Sequence, residues 1–366
     1  GNLIVESNEN NNSATYLGAT ATPPADCPPV QPVDATPTPY LPTAPALQTL
    51  SGLIYAEMNL AQIWKIDTGG QVAAVLPGID ARFSPDGEQA IIESSGDFLL
   101  ANPVDSPGVN ITNTPNRLES APQWWVANPS KIVFNSMGSK EAQEKGWDHA
   151  IIGYLSMMNS DGSENVTLED VPSYTAPALS PDGKTIAYDR SGAPMLYEIG
   201  AGSHPFDPTL YGYQPGAETI FTSPSYSQFG RMLTWWISEN NSQPDKHFSL
   251  VVFDLITNTS STLHTYTPLP GTLGWLPNPV WNGNEDWIAY QARGEETARD
   301  LWISHPDGNE AYRLGLATNP IWSADLRHLI YVQWPPQSDS YLAASTSVID
   351  ILTRSVEQTA LPAGSI

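Results

Sequence analysis

Cysteine is almost missing from this sequence: Cys27 stands alone among 366 residues, which excludes an intrachain disulfide framework and any multi-cysteine zinc site. Cations are scarce as well. Fifteen Lys and Arg face 39 Asp and Glu, and the formal charge of -24 describes a surface that repels nucleic-acid phosphates and anionic lipid headgroups. No apolar run approaches the roughly 18 residues that a membrane-crossing helix needs. Helical periodicity is nearly absent; the one short helix predicted is Lys140 to Lys145. There is no Gly-x-Ser-x-Gly elbow, no His-x-x-x-His or Glu-x-x-His pair on a helix and no Asp-x-Asp-x-Asp loop. A serine hydrolase, a zinc hydrolase and a calcium loop therefore find no support. What is present, 40% apolar and 10% aromatic residues, is ample for a large core.

Residues 1–43 differ in composition from the rest. They are first rich in Asn (Asn8, Asn10, Asn11, Asn12) and then in Pro, Thr and Ala up to Pro42. A stretch without apolar periodicity cannot offset its ordering entropy, and its prolines favour an extended spacer, so it reads as a tether. Gly1 in place of Met points to a processed or an engineered start, and a removed signal segment is the expectation that follows from the first. Cys27, in Ala25-Asp26-Cys27, lacks the residues that precede a bacterial lipidation cysteine and reads as a spectator thiol. A secreted, periplasmic or cell-surface location is expected, any lipid tether belonging to the removed segment.

From residue 44 to 366 the chain repeats itself. An apolar anchor is followed by a polar turn and then an apolar triplet. The clearest copies are Leu179-Ser180-Pro181-Asp182-Gly183 with Ile186-Ala187-Tyr188, and Phe83-Ser84-Pro85-Asp86-Gly87 with Ala90-Ile91-Ile92. Looser copies start at Trp322 and Trp281, and Trp125 and Tyr226 keep the spacing without Asp-Gly. Ala46 heads the weakest. The anchors at 46, 83, 125, 179, 226, 281 and 322 lie 37, 42, 54, 47, 55 and 41 residues apart, with 44 after the last. A four-stranded propeller blade occupies roughly 40 to 50 residues, so these periods predict an all-β, seven-bladed propeller of four-stranded antiparallel blades, with six blades as the alternative. Pro fixes φ, Asp supplies a side-chain acceptor and Gly tolerates positive φ, which together reverse the chain tightly.

With its Ser-Pro-Asp-Gly units the sequence resembles the TolB-like propeller repeat family, whose unit reads approximately Pro-x-aromatic-Ser-Pro-Asp-Gly-x-x-Ile-Ala-Tyr, with a later Leu-Trp-Ile and Asp-Gly segment. Residues 177–188 match it almost throughout, and 81–92, 279–290, 301–308 and 320–331 in part. The resemblance implies the fold. The same repeat occurs in periplasmic scaffolds, in propellers attached to serine peptidases and in secreted proteins of unknown role, so it implies no single activity.

In propellers the loops leading into the innermost strand, and those joining second to third strands, gather at one mouth of the channel. The longest second-to-third connections here are Met137 to His149, Ser238 to His247, Ala292 to Arg299 and Trp334 to Ser345. Candidate ligand-binding residues are Trp147, Asp148, His149, Arg190, Arg293 and Trp334. Trp147 and Trp334 are stacking platforms for a sugar ring or an aromatic partner residue, or else caps on the channel. Arg190 and Arg293 suit bidentate carboxylate binding, or else salt bridges to the surplus acids. No catalytic residue, metal or cofactor is assigned. The expected function is that of a monomeric, non-enzymatic binder of a protein segment or glycan. The alternative is a polysaccharide lyase or glycosidase working in the channel.

Overall fold

The computed structural model describes residues 54–57, 62–66, 72–78, 80–84, 88–103, 106–125, 128, 130–145, 152–240, 242, 246–267, 276–292, 300–323, 326–333 and 345–358. Nearly all regular structure is strand; the exceptions among these residues are an α-helix, Ser139–Lys145, and a 3-10 turn, Pro208–Tyr211. The strands fall into seven successive antiparallel units over 54–77, 80–110, 117–167, 178–205, 220–266, 280–316 and 317–358. Six units have four strands paired in chain order. The first has three described strands, Ile54–Glu57, Gln62–Ile66 and Val72–Pro77, and the strand expected at Ala46 lies outside the described residues. The sixth and seventh units share one long strand, Ala311–Trp322, which ends one unit and begins the next. This is the all-β propeller arrangement that the repeat predicts. No helix among the described residues is long and apolar enough to cross a membrane.

The turn between first and second strands shows why the repeat has its sequence. Ser180 accepts the Thr185 amide on its hydroxyl at 2.9 Å, while its own amide donates to the Thr185 carbonyl at 2.8 Å. Ser84 does the same with Gln89, Ser227 with Met232 and Ser323 with His328, and the Asn282 carboxamide replaces the hydroxyl for Trp287. The third residue after four of these caps is left-handed: Gly183 at φ 68°, Gly230 at φ 71°, but Glu285 and Leu326 at φ 63°. The looser copies thus keep the backbone of the Ser-Pro-Asp-Gly turn without its glycine, a strained arrangement for a residue with a Cβ.

The third unit corrects the repeat register. In the position where other units have Ser or Asn stands Trp125, whose amide donates to the Lys131 carbonyl at 2.9 Å. The anchor equivalent to Leu179 and Trp322 is therefore Trp124, not Trp125, because this turn is one residue longer than its counterparts.

From the second unit to the seventh, each seam between described units is an apolar layer. Ile91, Phe98, Trp124 and Phe134 fill the second-to-third seam, and Val133, Leu155, Ile186 and Tyr188 the third-to-fourth. Trp235, Phe221 and Phe253 fill the fourth-to-fifth; Trp236, Trp281 and Tyr290 the fifth-to-sixth; Trp322, Leu329 and Tyr331 the sixth-to-seventh. These large rings are buried on both faces, as expected for sheets stacked radially.

Candidate functional site

The second strands of five units end at Gly138, Arg190, Glu239, Ala292 and Gln333, which are equivalent positions at one end of each sheet. At this end the second and fourth units turn in two residues, Ser95-Gly96 at φ 54° and 83° and Ser191-Gly192 at φ 49° and 88°. The third, fifth, sixth and seventh instead leave room for long connections before Tyr154, His247, Asp300 and Ser345. The expected loop-rich end is thus marked by the strands that flank it. Trp147, Asp148, His149, Arg293 and Trp334 lie outside the described residues. The predicted helix does form, beginning at Ser139 directly after the third unit's second strand.

Arg190 is the one candidate among the described residues. Its Nη2 donates to Asp170 Oδ1 at 3.0 Å, and its Nε lies 3.8 Å from Glu169 Oε2. Both acids sit in the connection leading into the fourth unit's first strand. Glu169 also accepts the Ser203 hydroxyl, which in turn accepts from the Tyr188 phenol at 3.0 Å. Burial chiefly pushes the Tyr188 hydroxyl up to about 12, and the Glu169 charge adds to it. Arg190 is therefore a half-exposed cation already neutralised by two neighbours.

Deeper at the same end, the connections into the first strands are joined by a chain of polar contacts. Asp189, fully buried, accepts the amides of Tyr174, Thr175 and Gly192 and the hydroxyls of Ser173 and Thr175, all within 3.1 Å. Burial raises its carboxyl above the ordinary range and these bonds oppose the rise. The Asn135 carboxamide donates to the Thr175 carbonyl at 2.9 Å, and the Ser223 amide donates to the Thr175 hydroxyl at 2.9 Å. The Ser223 hydroxyl then donates to the Leu276 carbonyl, and the Asn278 carboxamide to the Pro224 carbonyl. The third to sixth units are stitched together along this line, of whose members Ser223 and Asn278 share a place in the repeat, directly before Pro224 and Pro279. Ser223, Ala121 and Asn319 share one backbone feature: each precedes a proline at φ 50–54°, at a bulge in a first strand.

Two further groups are held at this end. Glu119 accepts the Thr114 hydroxyl at 2.7 Å and the Ser136 hydroxyl at 3.1 Å, and burial raises its carboxyl against those bonds. Glu239 accepts the Gly216 amide at 2.7 Å and pairs with His247 Nε2 at 3.0 Å. His328 and His305 lie beside turns at the opposite end, and His264 is packed among Tyr266, Tyr290 and Trp302. Among the described residues no three of His, Cys, Asp and Glu gather closely enough to hold a metal ion. Two clefts open at the opposite end. One, between the fifth and sixth units, is polar and about 370 Å³, lined by Arg231, Asp254, Asp286 and His305; the other, between the fourth and fifth, is more apolar and about 280 Å³.

No protein-family model matches the chain, and no curated protein matches it. Solved structures do. An oligogalacturonate lyase from Vibrio parahaemolyticus superposes with a TM-score of 0.58 at 12% identity, over 83% of this chain and 87% of that one. A functionally unknown protein from Desulfotomaculum acetoxidans superposes with 0.53 at 12% identity, over 87% and 98%. A TolB from Acinetobacter baumannii reaches 0.44 at 12% identity, over 77% and 63%, too loose a fit to carry weight. At such identities the likeness speaks for the fold alone, and the fold is an all-β propeller.

Proposed function

We propose that this chain is a non-enzymatic, extracytoplasmic propeller that binds a protein segment or a glycan at its loop-rich end. The observation that carries the reading is the uneven length of the second-to-third connections. Two units, the second and the fourth, close in two residues, while four others leave the same end of their sheets with longer loops. Loops of that kind on a rigid scaffold are the usual carriers of recognition. Trp147 and Trp334 serve as stacking platforms, Arg293 as a carboxylate partner, and Asp148 and His149 as polar contacts beside Trp147, with Arg190 at the rim already paired to Asp170 and Glu169. Residues 1–43 act as the tether that holds a monomeric propeller at the envelope or outside the cell.

The second reading is a lyase or glycosidase acting in the channel. It is favoured by one observation, the superposition on oligogalacturonate lyases, one of which is in complex with manganese. One experiment separates the two. The full chain and its Trp147→Ala/Trp334→Ala double variant are screened on a glycan array and as bait for envelope extracts, and each is incubated with oligogalacturonate with and without manganese. Binding reads out as retention lost in the double variant at an unchanged melting temperature, without new unsaturated product. Unsaturated product formed by the parent chain would overturn it.

A further inference from the structure

At the end of the sheets opposite the long loops, the seam between the fourth and fifth units carries a concentration of exposed apolar surface. Six large hydrophobic side chains among the described residues are strongly exposed, and three of them fall here: Phe229, Ile256 and Leu210, each at least 67% exposed. Phe229 itself lines the 280 Å³ groove; Ile256 follows the lining residue Leu255 and Leu210 precedes the lining residue Tyr211. The other three, Val109, Val166 and Leu352, are scattered over three different units. The groove is floored by buried Phe206, Tyr226 and Leu233. Clustered exposed apolar groups around such a floor mark an interaction site more often than chance exposure does.

Phe229 is held in place as well as exposed. Its turn is closed by the Ser227 amide on the Met232 carbonyl and the Gly230 amide on the Ser227 carbonyl, each at 2.9 Å. The Phe229 amide donates to the carboxylate of Glu285, a buried residue of the next unit, at 2.7 Å. A ring presented on a turn tied from two units loses little conformational freedom when it is covered.

Charge selects the occupant. No Lys or Arg lines the groove, whereas Asp182 and Glu198 do, with side chains 55% and 56% exposed. Their neighbours Lys184, at 3.1 Å, and His204, at 3.8 Å, are themselves well exposed, and such pairs hold a carboxylate only weakly. A second copy would bring a charge of -24 against -24. The chain's own first 53 residues carry Glu6, Glu9, Asp26 and Asp34 and no Lys or Arg. Both are electrostatically mismatched. We infer that this groove docks an extended segment of a partner protein in which a large apolar side chain is flanked by lysine or arginine, the apolar group entering beside Phe229 and the cations meeting Asp182 and Glu198.

The test is to pan a phage-displayed library of random peptides on the immobilised full chain, then titrate the enriched peptides against Phe229→Asp, Ile256→Ser and Asp182→Asn/Glu198→Gln. Enriched sequences should carry Trp, Phe, Tyr or Leu beside Lys or Arg. Phe229→Asp should weaken them about tenfold or more, as loss of an anchor does, and the double neutralisation should weaken them and flatten their salt dependence. The melting temperatures of Phe229→Asp and Ile256→Ser should stay at that of the parent, since both side chains are exposed, while Asp182→Asn, whose carboxamide oxygen can still accept the Ser180 hydroxyl and the Lys184 amide, should lose little. Enriched peptides without cations, or ones bound equally by Phe229→Asp and Ile256→Ser, would overturn the inference. So would self-association of the parent chain that Phe229→Asp abolishes.

Discussion

The indole of Trp322 donates to the Val280 carbonyl at 2.9 Å, across the seam between the seventh and sixth units. Trp124 does the same to the Arg82 carbonyl at 2.8 Å, across the third-to-second seam. In both cases the acceptor is the residue just before the previous unit's anchor. Trp281 occupies the equivalent position in the sixth unit, but the matching carbonyl, that of Ser225, accepts the Thr234 hydroxyl at 3.1 Å instead. The Trp281 indole is buried without a partner. Two seams are clasped by the repeat and one is not.

Trp322→Phe and Trp281→Phe remove similar rings from similar surroundings, yet only the first strands a buried carbonyl. Trp322→Phe should therefore cost about 1–3 kcal/mol more than Trp281→Phe. Urea denaturation midpoints of the two variants, measured side by side, check this. Equal losses would mean that the clasp contributes nothing.

Asp189 is the hub of the stitched line. Asp189→Asn turns an acceptor into a donor facing five donors, and a buried donor left unmet costs about 1–3 kcal/mol. A comparable or larger loss of unfolding free energy is expected, well above that of Asp182→Asn on the exposed turn. Parity between the two variants would show that the network is not needed.

His264 supplies a pH dependence. Burial pushes its imidazole below the ordinary 6.5, with the Asp300 carboxylate opposing. Asp300 is itself held by Arg313 at 2.8 Å, and the other groups around the imidazole are the rings of Tyr266, Tyr290 and Trp302. The unfolded chain takes up a proton near pH 6.5 while the folded chain does not. The contribution is thus present in full above that pH and declines as pH falls below it. Urea midpoints taken from about pH 7.5 down to about pH 5.5 should fall, and His264→Phe should flatten the fall. An unchanged slope in the variant would exclude His264 as its source.

Gly162 sits at φ 85° in the third unit's outer turn, where an added Cβ would stand 1.9 Å from the Ile111 carbonyl oxygen. Gly162→Ala should cost about 2 kcal/mol or more, from the left-handed backbone and the clash together. Gly200→Ala, at φ 87° with nothing near its Cβ, isolates the backbone share. Thermal melts of the pair separate the two.

The fold was legible because each unit repeats a local device: Ser180 and Ser84 close their turns with bonds that span five residues. Among the described units the register slips once, Trp125 for Trp124, where a longer turn slid an aromatic residue into the serine position. The stitched line was not legible: Ser223 and Asn278 both stand just before the repeat's proline, but Asn135 and Thr175 stand elsewhere, and their meeting across units leaves no mark in the spacing. Of the candidate site, the sequence marked the end of the sheets that carries the long loops. It left the partners of Arg190 open between a ligand carboxylate and some of the surplus acids, and could not name Glu169 and Asp170, because spacing within one unit says nothing of what the preceding connection brings alongside.

The most direct test of recognition at the loop-rich end is hydroxyl-radical footprinting of the full chain with and without the glycan or protein segment recovered from the array or capture. The account predicts protection of Trp147, His149 and Trp334, with exposed Val109 and Leu352 unchanged. Protection elsewhere that leaves those three fully reactive would contradict it.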